Sequence, residues 1–349
     1  MNAIGALPRV MLGAWPTPLQ AAEQLSLQLG CPLYIKREDM TGLGGGGNKA
    51  RKLEFQLGQA LKEGATHVIT TGAVQSNHAH LTAAAARKLG LQPHLVLSGV
   101  PGTELHGNLY LDHLMKSELT FVTPPAGRPP LEVVNEVMLE TASAITKKGG
   151  TPVIIPEGGT DALGTIGYIL AMEELAQQLD SLGLNQKQIL IVVATGTCGT
   201  HAGLAAGART LSRQLDIMGV SVSGKTHIKI EKTARVATDT LQLAGYEHAL
   251  RPEEIWIEDR FIGSGYGAVT EECRQAIYTA AYTEGLFLDP VYTGKAMAAL
   301  LHMGQSGQLA KYDAVVFVHT GGLPLLFQYD SAIASYTTNE GEMRRYVSK

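Results

Sequence analysis

Cysteine and long hydrophobic runs are scarce in this sequence. Its 349 residues include three cysteines, Cys31, Cys198 and Cys273, which are odd in number and far apart. This spacing excludes a disulfide framework and a Cys-x-x-Cys metal site, and it predicts a reducing, cytoplasmic compartment. No uncharged apolar run approaches the ~20 residues that a membrane-spanning helix needs. The first twenty residues predict no secretory signal peptide, because they lack a basic segment followed by a long apolar core.

Neither sign of charge dominates the chain. Charged residues make up 17% of it, the formal net charge is -4 and the isoelectric point is near 6.3. This balance gives no electrostatic reason to expect a nucleic acid or a membrane as partner. Glycine is the residue in excess, because 40 of 349 residues is about 11%, against a usual ~7%. The glycines are clustered, which indicates loops whose backbone approaches something closely.

Apolar, β-branched runs alternate along the chain with longer segments of helical periodicity. This order predicts an α/β fold with parallel-rich sheets flanked by helices. The predicted strands are Leu33–Ile35, His67–Thr71, His94–Leu97, Thr120–Thr123, Pro152–Ile155, Ile189–Ala194, Met218–Val222 and Ala314–Val318. The predicted helices include Lys52–Lys62, Leu81–Leu89, Leu131–Lys148, Leu163–Leu179, His201–Leu211 and Glu271–Thr283.

The length of the chain indicates more than one domain, since 349 residues exceed the usual size of a single core. Residues 53–160 contain four strand–helix units, which could form a compact sheet of their own. We therefore predict a smaller α/β domain at 53–160, inserted into a larger domain formed by residues 1–52 and 161–349.

The densest glycine cluster, Gly42 to Gly47, follows a predicted strand and precedes Lys49 and a helix. A helix N-terminus carries partial positive charge, so it favours the neutral amine of a lysine in the first turn. A neutral amine is the nucleophile that condenses with an aldehyde. We expect the glycine loop to be flexible, and the neighbouring Arg51 and Lys52 to be solvated. The alternative for Lys49 is an ordinary surface lysine beside a turn.

The same glycines fit the pattern Gly-x-Gly-x-x-Gly, so a dinucleotide site is an alternative. That site needs an acidic residue about 20 residues further on, at the end of the next strand. No Asp or Glu occurs between Ala65 and Gly90. The pattern therefore does not favour a nicotinamide-dependent oxidoreductase.

A second loop, Thr195 to Thr200, has the sequence Thr-Gly-Thr-Cys-Gly-Thr and joins a buried strand to a helix. Its backbone N–H groups, three hydroxyls and helix dipole suit one anion. The loop lacks the Gly-x-x-x-x-Gly-Lys-[Ser/Thr] motif, so a phosphomonoester fits better than a nucleoside triphosphate. The alternative is a plain strand-to-helix turn, and Cys198 is interpreted as a small residue of that turn, not as a catalytic thiol.

Short polar side chains stand at a third helix start, where Ser76, Asn77 and His78 could bind a substrate carboxylate. The alternative is ordinary capping by Ser76 or Asn77. His78 and His80 are two residues apart, which places them on different helix faces, so we predict no metal site. Further along, Tyr292 lies in a predicted loop at 288–295 and could transfer a proton or simply pack. Thr320 follows a predicted strand, and its hydroxyl could face a ring nitrogen.

Five motifs together resemble one family, in the same order and over nearly the whole chain. They are GGNK-x-RKLE (46–54), QSNH (75–78), TGTCGTHAGL (195–204), DPVYTGKAM (289–297) and HTGG (319–322). The resemblance is to D-cysteine desulfhydrase and 1-aminocyclopropane-1-carboxylate (ACC) deaminase. It implies the two-domain fold of the tryptophan synthase β type, pyridoxal 5'-phosphate (PLP) as cofactor, a small amino-acid substrate and a homodimer.

The resemblance also implies roles for individual residues. Lys49 would hold the cofactor as a Schiff base and, once displaced by the substrate, would take its α-proton. Asn77 would bond the pyridine 3-oxygen and Thr320 the pyridine nitrogen. The phosphate group would be bound by Thr195, Gly196, Thr197, Cys198, Gly199 and Thr200. The substrate would contact Ser76, Asn77, His78, Tyr266 and Tyr292, of which Ser76 and Tyr292 are also predicted to be catalytic.

One position divides the family. The deaminases carry a glutamate directly after the tyrosine of the fourth motif, where this chain has Thr293. We therefore predict the desulfhydrase reaction, a β-elimination from D-cysteine to pyruvate, hydrogen sulfide and ammonia. L-Cysteate sulfo-lyase and ACC deaminase are alternatives, and a non-catalytic ligand-binding protein is the rival from another class.

Overall fold

The computed structural model describes residues 3–100 and 105–334 and confirms a mixed α/β architecture with parallel-rich sheets flanked by helices. The strands in these residues are β1 (Leu19–Ala21), β2 (Leu33–Lys36), β3 (His67–Ala73), β4 (Gln92–Ser98), β5 (Glu118–Val122), β6 (Pro152–Ile154), β7 (Ile189–Thr195), β8 (Leu215–Ser221), β9 (Trp256–Glu258) and β10 (Ala314–Val318). All eight predicted strands are confirmed. Sequence analysis missed β1 and β9, because three residues are too few to show a period.

Helices cover both sheets. In the described residues they are α1 (Glu23–Leu29), α2 (Lys49–Lys62), α3 (Asn77–Lys88), α4 (Gly107–Leu114), α5 (Pro130–Lys147), α6 (Ala162–Ser181), α7 (Gly199–Arg209), α8 (Thr226–Leu243), α9 (Glu271–Glu284), α10 (Thr293–Gln305), α11 (Leu323–Gln328) and α12 (Asp330–Ala334). The six helices named from the sequence are confirmed. The loop predicted at 288–295 is shorter than expected, because α10 already begins at Thr293. None of the helices in these residues is long and apolar enough to cross a membrane.

The strands form a six-stranded sheet of order β1-β2-β10-β7-β8-β9 and a four-stranded sheet of order β5-β4-β3-β6. Among the described strands, β1 and β2 form the antiparallel pair and the other pairs are parallel. The central strands β7 and β10 are buried along their whole length, which explains why they are continuous apolar runs in the sequence. The four-stranded sheet uses strands between His67 and Ile154, inside the predicted 53–160 insert. The division into two domains stays a prediction.

Helix α2 packs into the cores on both sides of it. Leu53 and Leu57 lie with Val68 in the core beside the four-stranded sheet, whereas Phe55 packs with residues of α6 and α7. The carboxylate of Glu54 is fully buried and accepts hydrogen bonds from the N-terminal segment, from Leu12 N at 2.9 Å and Trp15 Nε1 at 2.7 Å among others. This helix therefore joins the two halves of the fold.

Four charged side chains form a buried group beside the first turn of α2, here called the α2 ion cluster: Lys36, Glu38, Arg51 and Glu174. Arg51 donates to Glu38 from Nε at 2.6 Å and from Nη2 at 2.8 Å. Arg51 also bonds Glu174 at 2.9 Å, and Lys36 pairs with Glu174. The expectation that Arg51 and Lys52 are solvated is wrong, since they are 3% and 0% exposed. Their burial follows from packing around α2, which the local sequence does not reveal.

The α2 ion cluster predicts a large stability loss for Glu38→Gln. Burial alone would raise the pKa of Glu38, but Arg51, Thr17 and Lys36 together outweigh burial and hold this pKa below its ordinary value of 4.5. Removing one charge of a buried pair leaves the other uncompensated, so we expect a loss of about 3 kcal/mol in the free energy of unfolding at pH 7. A carboxyl group whose pKa is lowered on folding stabilises the fold at pH values above about 4.5. The difference in unfolding free energy between the wild type and Glu38→Gln should therefore shrink as the pH falls below about 4.5.

Urea unfolding of the wild type and of Glu38→Gln at pH 7 and at pH 4 measures this stability loss. The matched control is Glu140→Gln on the exposed face of α5, where we expect a change within about 0.5 kcal/mol. Equal midpoints for Glu38→Gln and the wild type would contradict the assigned role of the cluster.

Candidate active site

The residues predicted from the sequence come together around one cleft of about 380 Å³, a usual size for a small-molecule site. They line it in full: Lys49, Ser76, Asn77, His78, Thr195, Gly196, Thr197, Cys198, Gly199, Thr200, Tyr266, Tyr292 and Thr320. The cleft lies at the carboxyl ends of β3, β7 and β10, where ligands of parallel α/β sheets usually bind. Their individual roles stay predictions.

Lys49 is the first residue of α2, and its amine faces the cleft. Burial lowers the pKa of Lys49 from 10.5 to about 8, although the carboxylate of Glu157 acts in the opposite direction. Nζ donates to Asn48 Oδ1 at 3.1 Å. A large share of this amine is therefore neutral near physiological pH, as a nucleophile or general base requires.

Asn48 connects Lys49 to two other walls of the cleft. Its Nδ2 donates to Thr200 Oγ1 at 2.9 Å, and its backbone N–H donates to the carbonyl of Thr320 at 3.0 Å. Asn48 is 5% exposed. One buried asparagine thus sets the positions of the amine, the predicted phosphate loop and the predicted ring-nitrogen partner.

The glycine loop before Asn48 is held in place, whereas we expected a flexible segment. The glycines of this loop have φ angles between 55° and 146°, a region that favours glycine. Thr41 Oγ1 accepts from Gly47 N at 3.0 Å, and His80 Nε2 donates to the carbonyl of Gly44 at 2.6 Å. A Cβ on Gly46 would lie 1.7 Å from the carbonyl of Asp39. These contacts fix the backbone of the loop, and with it the position from which the side chain of Lys49 extends into the cleft.

The loop from Thr195 to Thr200 ends at the N-terminus of α7, whose first N–H groups have no partner within the helix. Thr195 Oγ1 is buried and has no hydrogen-bond partner in the described residues. Gly158 faces this loop, where a Cβ would lie 2.1 Å from Thr197 Oγ1. Cys198 is 2% exposed, and its thiol lies 3.8 Å from the carbonyl of Lys229. This placement agrees with a structural role for the cysteine.

Lys52 places a fully buried ammonium group behind the same loop. Its Nζ donates to the carbonyl of Gly158 at 3.0 Å, and a Cβ on Gly199 would lie 2.5 Å from it. Burial first, and Lys49 second, lower the pKa of Lys52 well below 10.5. An anion in the loop would supply the missing counter-charge. The free N–H groups, the orphan hydroxyl and this lysine therefore fit the phosphate of PLP.

The start of α3 forms the opposite wall. Ser76 Oγ accepts from Ala79 N at 3.2 Å as the helix cap, which leaves its O–H hydrogen free to donate into the cleft. The ring of His78 is 4% exposed and lies 2.8 Å from Thr70 Oγ1. Burial, with Lys49 and Lys52, lowers the pKa of His78 well below 6.5. His78 is therefore neutral, and a carboxylate here would be bound by backbone N–H groups and Ser76 and not by an imidazolium.

Two tyrosines stand on the remaining side, with their hydroxyl oxygens 2.7 Å apart. Desolvation at the cleft raises the pKa of Tyr266 to about 12, although the residue is 46% exposed, and raises that of Tyr292 well above 10. Both are therefore neutral hydrogen-bond donors near pH 7. Tyr292 is positioned by the buried carboxylate of Asp289, which accepts from Tyr292 N at 2.7 Å.

Thr320 lies on the turn after β10. His319 shapes this turn, because its Nδ1 accepts from Gly321 N at 3.2 Å while Nε2 donates to the carbonyl of Phe287 at 3.0 Å. Gly321 packs against the glycine loop, since a Cβ there would lie 2.9 Å from the Cα of Gly47. The hydroxyl of Thr320 therefore belongs to a turn that these contacts hold in place.

Sequence analysis assigned no role in the site to Asn48, Glu157 and Lys232, which line the cleft, or to Lys52, which lies behind it. A signal existed for Lys52, because it lies three residues after Lys49 and so shares its helix face. No local signal marks Glu157 or Lys232, which reach the cleft through tertiary packing. Among the described residues, no group of three or more His, Cys, Asp or Glu side chains is placed to hold a metal ion.

The lowered pKa of Lys49 predicts unusual reactivity for an ε-amine. With a pKa of about 8, roughly half of the amine is neutral at pH 8, against well under 1% for a free lysine. Competitive labelling of the apoprotein with an amine-reactive reagent between pH 6 and 11, read by mass spectrometry, should give Lys49 an inflection near pH 8. A lysine peptide in the same tube is the control, and coincident inflections would contradict the prediction.

The buried ammonium of Lys52 predicts opposite effects on stability and on cofactor affinity. We expect Lys52→Met to weaken PLP binding about ten- to a hundredfold, because it removes a charge-assisted bond to the phosphate. The apoprotein should lose no stability, since a desolvated charge has been removed. Equilibrium binding of PLP and thermal unfolding measure the two effects. Lys62→Met, at the exposed end of the same helix, is the control, and unchanged PLP affinity in Lys52→Met would place the phosphate elsewhere.

Comparisons with known proteins agree with this geometry. A protein of Pyrococcus abyssi, provisionally named as an ACC deaminase, is 40% identical over 326 residues, 93% of this chain and 95% of that protein. A D-cysteine desulfhydrase of Klebsiella pneumoniae is 39% identical over 92% of this chain and 96% of its own length. A crystal structure of an ACC deaminase homologue superposes with a TM-score of 0.86 at 38% identity, covering 95% of this chain and 97% of the other.

The sequence also matches the family of pyridoxal-phosphate dependent enzymes over residues 10–321. The matched residues include all those that line the cleft, among them Lys49 and the loop from Thr195 to Thr200 at the start of α7. The chain belongs to the pyridoxal-phosphate-dependent enzyme family, together with the desulfhydrase and deaminase relatives that resemble it over nearly their whole length.

Proposed function

We propose that this PLP-dependent lyase catalyses β-elimination from D-cysteine and forms pyruvate, hydrogen sulfide and ammonia. Relatives named for D-cysteine desulfhydration and for ACC deamination are about equally similar to the chain, so overall identity does not choose between them. The environment of Thr293 is the observation that favours elimination.

Thr293 occupies the position at which the resembling deaminases carry glutamate. It is 0% exposed, and its Oγ1 donates to Asp289 Oδ2 at 2.7 Å and accepts from Asp289 N at 2.8 Å. The hydroxyl of Thr293 therefore donates to and accepts from Asp289, and it supplies no charge to the cleft. ACC has neither an α-proton nor a leaving group on Cβ, so its ring opening needs acid–base help. D-Cysteine has both, and its thiolate leaves readily.

The residues of the cleft suit each requirement of an elimination. Bound PLP supplies an electron sink for negative charge at the α-carbon. Lys49, with its lowered pKa, takes the α-proton at Nζ as general base. The N-terminus of α3 and the hydroxyl of Ser76 hold the substrate carboxylate. The hydroxyl of Thr320, to which the resemblance assigns the ring nitrogen, would leave that nitrogen largely unprotonated, which is tolerable when the leaving group is good.

The neutral tyrosine pair completes this assignment. Tyr292, hydrogen-bonded to Tyr266 at 2.7 Å, keeps its proton near pH 7 because its pKa is raised. It can therefore donate a hydrogen bond to the departing thiolate, which leaves without taking the proton, because the raised pKa makes this phenol a weaker acid than the thiol. This is the catalytic role that we assign to Tyr292.

ACC deaminase activity is the second candidate. The same tyrosine pair could protonate an opening ring, and the Pyrococcus relative and the solved homologue carry that name. We favour elimination because the carboxylate expected for ring opening is missing at position 293.

We further propose a cytoplasmic homodimer. The free, buried state of Cys31, Cys198 and Cys273 is compatible with a reducing compartment. The dimer rests on the family resemblance, and sedimentation of the purified protein tests it.

A substrate panel tests the proposed function. We expect pyruvate from D-cysteine, with 2-oxobutyrate from ACC formed at least tenfold more slowly under saturating PLP, since Thr293 supplies no charge. L-Cysteine and both enantiomers of cysteate complete the panel, and Lys49→Ala is the control that should turn over none of them. Faster 2-oxobutyrate formation than pyruvate formation from either cysteine would contradict the proposal. If cysteate alone is turned over, the elimination chemistry stands and the protein is a cysteate sulfo-lyase.

A further inference from the structure

Behind the cleft, a buried asparagine contacts the residue predicted to bond the cofactor's 3-oxygen. Asn108 lies in the first turn of α4, is 0% exposed and is not part of the cleft wall. Its Nδ2 lies 2.7 Å from Asn77 Oδ1. Asn77 itself lines the cleft. The contact therefore links a buried position to a residue of the site.

Backbone groups determine which way these amides point. Asn108 Nδ2 lies 3.0 Å from the carbonyl of Gln75, and a carbonyl only accepts hydrogen bonds, so this atom must be the nitrogen. The second hydrogen of the same NH₂ group then points to Asn77, whose contacting atom must be the oxygen. Asn77 consequently presents its own NH₂ group to the cleft, and it can only donate there.

A second set of contacts fixes Asn108. Its backbone N–H donates to Gln75 Oε1 at 2.9 Å, and Gln75 Nε2 donates to the carbonyl of His106 at 3.1 Å and to Gln328 Oε1 at 3.1 Å. Gln328 ends α11, the helix that follows Thr320 in the chain. A Cβ on Gly107 would lie 2.6 Å from Gln75 Oε1, so the approach of α4 depends on glycine. The polar chain thus spans from the C-terminal end of α11 to Asn77.

We propose that Asn108 is a positioning residue that holds Asn77 as an obligatory hydrogen-bond donor to the cofactor. This proposal rests on the cofactor role assigned to Asn77 and is independent of which amino acid is the substrate. A donor to the ring 3-oxygen draws negative charge from it. That lowers the proton affinity of the neighbouring nitrogen, which joins Lys49 to the cofactor. Without Asn108, the amide of Asn77 can rotate and offer its oxygen instead.

The pH dependence of the visible absorption of the holoenzyme, recorded without substrate, measures this effect. We expect Asn108→Ala to raise the midpoint of that titration by about one pH unit, a tenfold change in proton affinity. Asn108→Asp should raise it further, because a carboxylate accepts and would turn the Asn77 oxygen to the cleft. Leu109→Ala, which truncates the next buried residue of α4, is the matched control and should leave the midpoint unchanged.

A double variant separates positioning from a general structural effect. If Asn108 acts through Asn77, Asn108→Ala should shift nothing further in an Asn77→Ala background. An unchanged midpoint in Asn108→Ala would overturn the proposal, and so would a shift that persists without the Asn77 amide or that Leu109→Ala reproduces. If Asn108→Asp fails to fold, the Ala variant decides alone. Since no substrate is added, failure of D-cysteine turnover would leave this test intact.

Discussion

Arg51, in the first turn of α2 and two residues after Lys49, forms a buried ion pair with Glu38, and the position of that helix depends on it. The pair lies within the α2 ion cluster, whose two cations and two carboxylates compensate one another in a region that water does not reach. Buried charges are stable only in such geometry, since each one alone would cost several kcal/mol. The cluster therefore permits one placement of α2, and with it one placement of Lys49.

The cleft contrasts with that balanced cluster, because positive groups are in excess there. Lys49 faces the cleft, opposed by Glu157, and Lys52 lies behind it, while the N-termini of α3 and α7 add partial positive charge. Burial lowers the pKa of both lysines. A protein tolerates such an arrangement when a ligand supplies the missing negative charge. In the proposed function, the phosphate of PLP and the carboxylate of an amino acid supply it at the N-termini of α7 and α3.

Hydrogen bonds to buried polar side chains set the fine geometry of the site. Asn48 ties the amine of Lys49 to the phosphate loop, and Asn108 sets the orientation of Asn77. Asp289, itself buried, holds Tyr292 and Thr293 by their backbone N–H groups. The side chain of Asn108 is anchored at the backbone carbonyl of Gln75 and that of Asp289 at backbone N–H groups, whereas Asn48 is held by the hydroxyl of Thr200 and the amine of Lys49. Such fixed polarity is what preorganises a site before a ligand arrives.

The sequence by itself determined eight of the ten strands in the described residues, most of the helices near the site, and the loops that build the cleft. Buried parallel strands are continuous apolar runs, and glycine is favoured where φ is positive, so both leave local signals. Only the tertiary structure decided that Arg51 and Lys52 are buried, that Asn108 contacts Asn77, and that Thr293 is committed to Asp289. Burial and partner choice depend on elements distant in the chain, and the periodicity of one segment carries no information about the surface that will cover it.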